Sequence, residues 1–321
     1  MSQLSAVDDL AASPSGEGRR AFSTAEAVDW CRRLTKSHYE NFSVTTWLLP
    51  KRLAPHFYAI YAWCRTADDL ADERPDPQGN LARLDDWQRQ LEACYQVSAC
   101  DARANNDRAE HPILTALRCT IREFAIPPDP FMRLLSAFRQ DQRVVRYATA
   151  DDVLGYCRNS ANPVGELVLY LGRAHDPERV RLSDATCTGL QLANFCQDVA
   201  RDWAMGRVYL PQSTLDRAGY REEMFARGAC NDAFRQALRE EVDRADRYLI
   251  EGDKLVDLVR DDLRLAVALF GAGGRAILQA VRDAGYNVWA SRPTLSRRAK
   301  LGLVARQWWR TRWRTRPETA R

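Results

Sequence analysis

Two stretches of this 321-residue chain set carboxylates where they could do chemistry. Between Leu192 and Pro211, Asn194, Asp198 and Asp202 recur at every fourth position, so a helix through them puts all three on one face. Its other side offers Leu192, Ala193, Phe195, Val199 and Trp203 to a core. Two carboxylates and a carboxamide on an otherwise apolar helix are costly to bury unpaired, so a positive partner is expected against them. An all-oxygen donor set, without His or Cys, suits a hard cation such as Mg2+, which usually keeps part of its shell for substrate phosphates.

The second stretch carries Tyr61, Arg65, Asp68 and Asp72 on one helix face, with Asp69 and Glu73 flanking them. Two such helices facing each other would repel. Metal ions bridged by a diphosphate would relieve the repulsion, and Arg65 would hold a phosphate oxygen through its fork of donors. A lone Asp-x-x-x-Asp is weak evidence, since roughly one is expected by chance in a chain of this length at ordinary aspartate frequency. Asp253, Asp257 and Asp261 repeat the spacing among Glu251, Lys254 and Arg260 and read as a solvated face. On residues alone, a metal–diphosphate site and a structural polar network explain the two acidic stretches equally well.

The motifs Tyr61-Ala-Trp-Cys-Arg65-Thr-Ala-Asp68-Asp69-Leu-Ala-Asp72-Glu73 and Asn194-Phe-Cys-Gln-Asp198-Val-Ala-Arg-Asp202, followed by Gly206-Arg207-Val-Tyr209-Leu-Pro211, resemble those of the squalene/phytoene synthase family. The resemblance covers roughly residues 25–295. Within that family, His38-Tyr39-Glu40-Asn41-Phe42 and Tyr156-Cys-Arg-Asn-Ser-Ala-Asn162-Pro163-Val-Gly165 look most like the branch that makes hydroxysqualene in bacterial hopanoid biosynthesis. The resemblance implies an all-α, single-domain isoprenoid-synthase bundle around a central apolar cavity. It implies Mg2+ on Asp68, Asp69, Asp72, Asn194, Asp198 and Asp202, and Tyr61, Arg65, Tyr156 and Asn162 in catalysis. His38, Tyr39, Glu40, Asn41, Gln191, Gln197, Arg207 and Tyr209, with Tyr61 and Arg65, would bind the substrate.

The reaction so implied takes presqualene diphosphate and water to hydroxysqualene and diphosphate. Metal and Arg65 stabilise charge on the leaving oxygens, and apolar walls keep water from the carbocation. Tyr39, Tyr61 and Tyr156 would steady the cation, each by up to ~2 kcal/mol when desolvated. The nearest alternative is head-to-head condensation of two prenyl diphosphates to presqualene diphosphate, squalene or phytoene. Gln197 stands where condensing members commonly carry a basic residue, Asn162-Pro163 replaces a small Ala-Gly pair, and Gly274 falls where some members have a substrate-contacting Tyr. These departures weigh against a second diphosphate. No nicotinamide-binding motif is visible, which favours water as the quencher.

The elements that must position these residues follow from capping and periodicity. Ser23-Thr-Ala-Glu26 is a capping box opening a first helix, and the acidic helix runs roughly from Arg52 to Glu73. Helices are expected over Leu81–Val97, His111–Phe124 and from Pro130 to about Asp141. Asp151 or Asp152 should cap a long helix to about Gly172, kinked at Pro163 and Gly165. Ser183 or Asp184 should start the second acidic helix, and Asn231 or Asp232 a long charged one running from Ala233 to about Val259. Leu263–Ala284 is the last apolar helix, its Gly271-Ala-Gly273-Gly274 explained by close packing rather than by a phosphate loop. About a dozen helices in one all-α domain are expected.

Nine cysteines without paired spacing point to reduced thiols in a cytoplasmic protein. Residues 1–20 read as a disordered arm, residues 21–291 as the catalytic domain and residues 292–321 as a basic tail. No run of 18 apolar residues spans a membrane. From Arg292 to Arg316 there is no Asp or Glu, and this stretch supplies the net charge of +4. Its Trp308, Trp309 and Trp313 among arginines suit peripheral contact with an anionic membrane. A solubilising disordered tail is the bland alternative, and a non-catalytic helical protein acting on lipid or RNA through this tail the rival of another class; no nucleic-acid partner is expected.

Overall fold

The computed structural model describes residues 22–37, 50–72, 76–96 and 111–313. Among the described residues there are fourteen helices and no strand; one isolated parallel bridge joins Arg146 and Val208. The described residues divide into two compact units, those up to Arg143 and those from Val144 on.

The first unit holds α1 (Thr24–Ser37), α2 (Ala54–Asp72), α3 (Pro77–Gln96), α4 (Pro112–Phe124) and α5 (Asp129–Asp141). The expected capping box opens α1: the Ser23 amide donates to Glu26 at 3.0 Å and the Glu26 amide to the Ser23 hydroxyl at 3.3 Å. Trp63 of α2 forms the centre of this unit's core, its ring 6.4 Å from Trp87 of α3 and 4.9 Å from Phe131 of α5. That apolar anchor fixes the rotation of α2, and hence which way its acidic face turns. The imidazole of His111 caps α4 by accepting from the Ile113 amide at 3.3 Å. Burial lowers its pKa to about 4, which keeps the ring neutral and able to accept.

The second unit is built on α8 (Pro177–Ala204). Around it lie α6 (Ala150–Ser160), α7 (Asn162–Leu171), α11 (Asp232–Gly252), α12 (Leu255–Leu258) and α13 (Asp261–Asp283). α9 (Gln212–Ala218) rests on α11, α10 (Glu222–Ala226) follows, and α14 (Arg297–Trp313) packs on α13. Helices α8 and α11 approach almost backbone to backbone. A Cβ on Gly252 would stand 2.7 Å from the Thr186 amide nitrogen, and one on Gly189 3.0 Å from that of Leu249. By length and apolar composition α13 is a candidate membrane span, yet it is packed against α8 and α11 in this unit.

Several expected boundaries move. The second acidic helix starts earlier than Ser183, at Pro177, because Asp176 accepts from the amides of Glu178 and Arg179 at 3.1 and 3.0 Å. Thr149, rather than Asp151 or Asp152, caps α6, with Asp152 closing the box. The single kinked helix is two helices, broken at Ala161, whose φ is −119°. Pro163 cannot continue an existing ladder but is tolerated in the first turn of a new one. The long charged helix ends at Gly252 instead of Val259, and Asp253 leaves the solvated face assigned to it. Its carboxylate pairs with Arg310 of α14 at 2.8 Å and lies 3.9 Å from Arg275. Of the glycines in α13, Gly274 is a packing glycine, with Leu190 and Leu249 within 3 Å of a built Cβ, whereas Gly273 faces open space.

Candidate active site

Within the second unit, α8 carries Asn194 exposed, Asp198 buried and Asp202 buried, the carboxylates with 7% and 9% of their surface accessible. Leu192, Ala193, Phe195 and Val199 are buried as expected, and Trp203 is half-buried. Burial, and then the negative charge of Asp198 one turn away, pushes the Asp202 carboxyl up to about 7. The positive partner that α8 requires is Arg292. Its Nη2 donates to Asp198 Oδ2 at 3.0 Å and to Gln197 Oε1 at 2.9 Å, while its Nε contacts Asp198 Oδ1. Gln197 is held on its other side by the carbonyl of Pro293. Hence a positive charge stands beside Gln197 although Gln197 itself is not basic. The charge arrives from 94 residues beyond Asp198 along the chain.

Beyond α8 the chain reverses through Gly206, at φ +77°, and returns along residues 145–148. The Val208 amide donates to the Val145 carbonyl and the Gln212 amide to that of Tyr147, both at 2.9 Å. Arg146 pins the turn by donating to the Gly206 carbonyl at 2.7 Å, with its guanidinium 5.5 Å from the Trp203 ring centre. This brings Tyr209 flat against Phe195, ring centres 4.0 Å apart, and beside Tyr147 and Tyr156 at 5.8 and 5.7 Å. Tyr156 thus stands in a four-ring cluster bordering the acidic stretch of α8. Arg207 is half-buried, its amide donating to the Asp202 carbonyl at 2.8 Å, and Gln191 is half-buried on α8. Asn162 is buried, and its Oδ1 accepts from the Thr188 hydroxyl at 2.9 Å.

In the first unit, α2 turns Tyr61, Arg65 and Asp68 half-buried and Asp72 exposed. Arg65 bridges Asp68 at 3.1 Å and Asp69 at 2.5 Å, and Asp69 is the buried member. Burial pushes the Tyr61 phenol above its ordinary range. His38, Tyr39, Glu40, Asn41 and Glu73 lie outside the described residues.

Sequence reasoning missed Arg292 and Tyr147. Arg292 was absorbed into an acid-free tail, and its only local signal is that it opens that stretch. Tyr147 has no spacing relation to the acidic motifs. Among the described residues no three His, Cys, Asp or Glu side chains form a ready-made cation cage. The donors of α8 nevertheless fit a hard cation that brings much of its own shell. They are oxygens only, and two buried carboxylates stand so close that one resists ionising beside the other. Asn194, Asp198 and Asp202 would hold such an ion in this unit, and in the first unit α2 offers half-buried Asp68 and exposed Asp72 as oxygens of the same kind.

An all-helical chain with two aspartate-rich helices, one carrying a buried carboxylate pair beside a four-ring aromatic cluster, defines a class of isoprenoid-forming enzymes. Residues 35–302 match the family model described as squalene/phytoene synthase, and the chain belongs to that family. The hydroxysqualene synthase of Rhodopseudomonas palustris is 33% identical over 272 residues, covering 84% of this chain and 86% of the relative. The 15-cis-phytoene synthase of Synechococcus elongatus is 28% identical over 291 residues, covering 87% and 91%. Among solved structures, squalene synthase HpnC from Alicyclobacillus acidocaldarius is similar with TM-score 0.75 and 43% identity, over 82% of this chain and 96% of that one. A dehydrosqualene synthase solved with a ligand gives TM-score 0.77 at 25% identity, over 90% and 98%. The all-α fold expected from the sequence is the fold of these enzymes.

Proposed function

We propose that the protein converts presqualene diphosphate and water to hydroxysqualene and diphosphate, with magnesium as its cofactor. The observation that carries the reading is the buried Asp198–Asp202 pair with Arg292 lying on Asp198. The similarity to a hydroxysqualene synthase supports this branch of the family. Magnesium, when bound, supplies positive charge to the leaving diphosphate. Asn194, Asp198 and Asp202 would hold it in the second unit, and Asp68 and Asp72 are oxygen donors of the same kind in the first. Arg65 and Arg292 donate to phosphate oxygens, each giving up part of its present carboxylate contact. The bond between carbon and the diphosphate oxygen then breaks. Tyr156, within the aromatic cluster, meets the resulting cation with its ring face. Water adds to the cation and loses a proton to the departing diphosphate.

Condensation of two prenyl diphosphates is the second reading, favoured by the phytoene synthase relative and by the positive charge that Arg292 restores beside Gln197. One experiment separates the two. Purified protein with magnesium is given presqualene diphosphate or farnesyl diphosphate, with and without a nicotinamide, and products are read by mass spectrometry. Hydroxysqualene from presqualene diphosphate without nicotinamide is the expected result. Diphosphate release from farnesyl diphosphate alone would favour condensation.

We place the protein in the cytoplasm, with α14 resting on an anionic membrane surface that receives the apolar product. Gln307 is buried and Arg310 is tied to Asp253, so one side of α14 is fixed inward. On its outer surface Leu301, Trp308 and Trp309 are 71%, 49% and 65% exposed, among Arg298, Lys300, Arg306 and Arg312.

A further inference from the structure

Helix α8 has a second working side. Arg181, Ala185 and Thr188 sit roughly a third of a turn around the helix from Asn194 and Asp198, and the middle of that stretch lies about 20 Å before Asp198 along the axis. There a cavity of about 550 Å³ opens between α6, α8 and α11. None of the four-ring cluster and none of the α8 carboxylates Asp198 and Asp202 lines it. Four arginines from these three helices do: Arg158, Arg181, Arg244 and Arg247.

Two of the four are already neutralised. Arg181 meets Glu251 at 2.8 Å, and Arg244 meets Glu241 at 3.0 Å and Glu240 at 3.2 Å. Arg158 and Arg247 make no ion pair among the described residues, and both are exposed. Arg158 lies along its own helix, 3.3 Å from where a Cβ on Gly155 would stand, so that glycine leaves the guanidinium its place. Asp184, half-buried, is the one other carboxylate in the wall. The remaining wall is apolar or aromatic from Leu154, Ala185 and the half-buried Tyr248, and polar from Asn162 and Thr188, which hydrogen-bond to each other at 2.9 Å.

Two guanidiniums without carboxylate partners, on different helices around one cavity, match a dianion. A phosphate monoester carries nearly two charges at neutral pH and offers several acceptor oxygens for bidentate contact. The volume is that of a small-molecule site and far exceeds a bare inorganic ion. We propose that this cavity binds a small organic phosphate or diphosphate, its anionic group held by Arg158 and Arg247 and its organic part laid against Tyr248 and Leu154. A nucleotide and a short prenyl diphosphate share that chemistry. The site does not depend on the reading of Asp198 and its neighbours as the reaction centre.

The test is calorimetric titration of the full chain in EDTA, which removes metal-dependent diphosphate binding elsewhere. Three probes are used: inorganic diphosphate, ADP and the thiolo analogue of geranyl diphosphate. One equivalent of ADP or of the geranyl analogue is expected to bind, more tightly than inorganic diphosphate, and whichever binds names the source. The double variant Arg158→Gln/Arg247→Gln should weaken that binding by at least ~10-fold, the loss of charge-assisted bidentate contacts. Each single variant should fall between. Both side chains are exposed, so an unchanged thermal midpoint certifies the fold of the variants. Asp198→Asn should bind the probe as wild type does. The proposal is overturned by any of four results: no binding of either organic probe at millimolar concentration, equal binding by the arginine variants, inorganic diphosphate binding as tightly as the organic probes, or loss of binding in Asp198→Asn.

Discussion

Asp198 and Asp202 show how one residue type takes two roles a turn apart. Asp198 is paired with Arg292, whereas the Asp202 carboxyl is held toward its protonated form by burial and by the negative charge of its neighbour. Replacing Asp198 with Asn removes the charge that faces both Arg292 and a bound cation. Turnover of presqualene diphosphate should fall at least ~100-fold, by analogy with loss of one main charge stabiliser. A wild-type rate in single-turnover measurements would end the assignment. Asp202 makes a pH prediction for the magnesium-free protein. Its folded-state pKa, about 7, lies above its ordinary 3.8, so the folded chain keeps a proton that the unfolded chain releases. Stability therefore declines as pH rises from about 4 to about 7 and levels beyond. Asp202→Asn should lack that part of the decline, gaining on the order of 2–4 kcal/mol over wild type between these limits. Denaturant unfolding in EDTA at both ends of the window measures it; parallel pH dependences would show that the carboxyl is not shifted.

At the scale of elements, the seam between α8 and α11 is the most demanding contact of the second unit. Gly252 has the Thr186 hydroxyl against it and, behind that, the Thr186 backbone nitrogen and Cα at 2.7 and 2.9 Å from a built Cβ, so turning the hydroxyl away would not clear the clash. Gly252→Ala should cost about 1–3 kcal/mol through overpacking, read as a lower urea midpoint with unchanged slope. Equal midpoints would mean that the two helices part freely. The helix ends themselves were only partly legible. Ser23 with Glu26 and Asn231 act as their sequence suggests, because an N-cap is a contact among residues three apart. Asp176 was passed over although it precedes Pro177, and Thr149 was hidden by two aspartates that looked like better caps. Asp253 shows the opposite error. Its repeat with Asp257 and Asp261 reads as surface charge, yet the helix ends one residue before it and α14 supplies Arg310 as its partner.

At the scale of the whole molecule, the charge distribution assigns a task to α14. The chain's excess positive charge is concentrated there, on a helix whose inward side is anchored and whose outer surface shows two tryptophans. The protein is expected to sediment with phosphatidylglycerol vesicles at low salt, to release as salt screens the attraction, and to bind phosphatidylcholine vesicles poorly. Trp308→Ser/Trp309→Ser should lose vesicle binding while leaving turnover of detergent-dispersed substrate largely intact. Vesicle binding equal to wild type in that variant would remove α14 as the contact.

What the sequence determined by itself was local: helices where apolar residues recur at helical spacing, carboxylates aligned by a fourfold step, and a family motif read off consecutive residues. These depend on contacts within a turn or two of one helix. Tertiary structure alone decided that Arg292 closes on Gln197 and Asp198, that Tyr147, Tyr156, Phe195 and Tyr209 gather, and that four arginines share a cavity. The physical reason is separation along the chain. Such contacts arise from how helices pack and where loops return, and no spacing between neighbouring residues records which distant side chain will meet a buried charge.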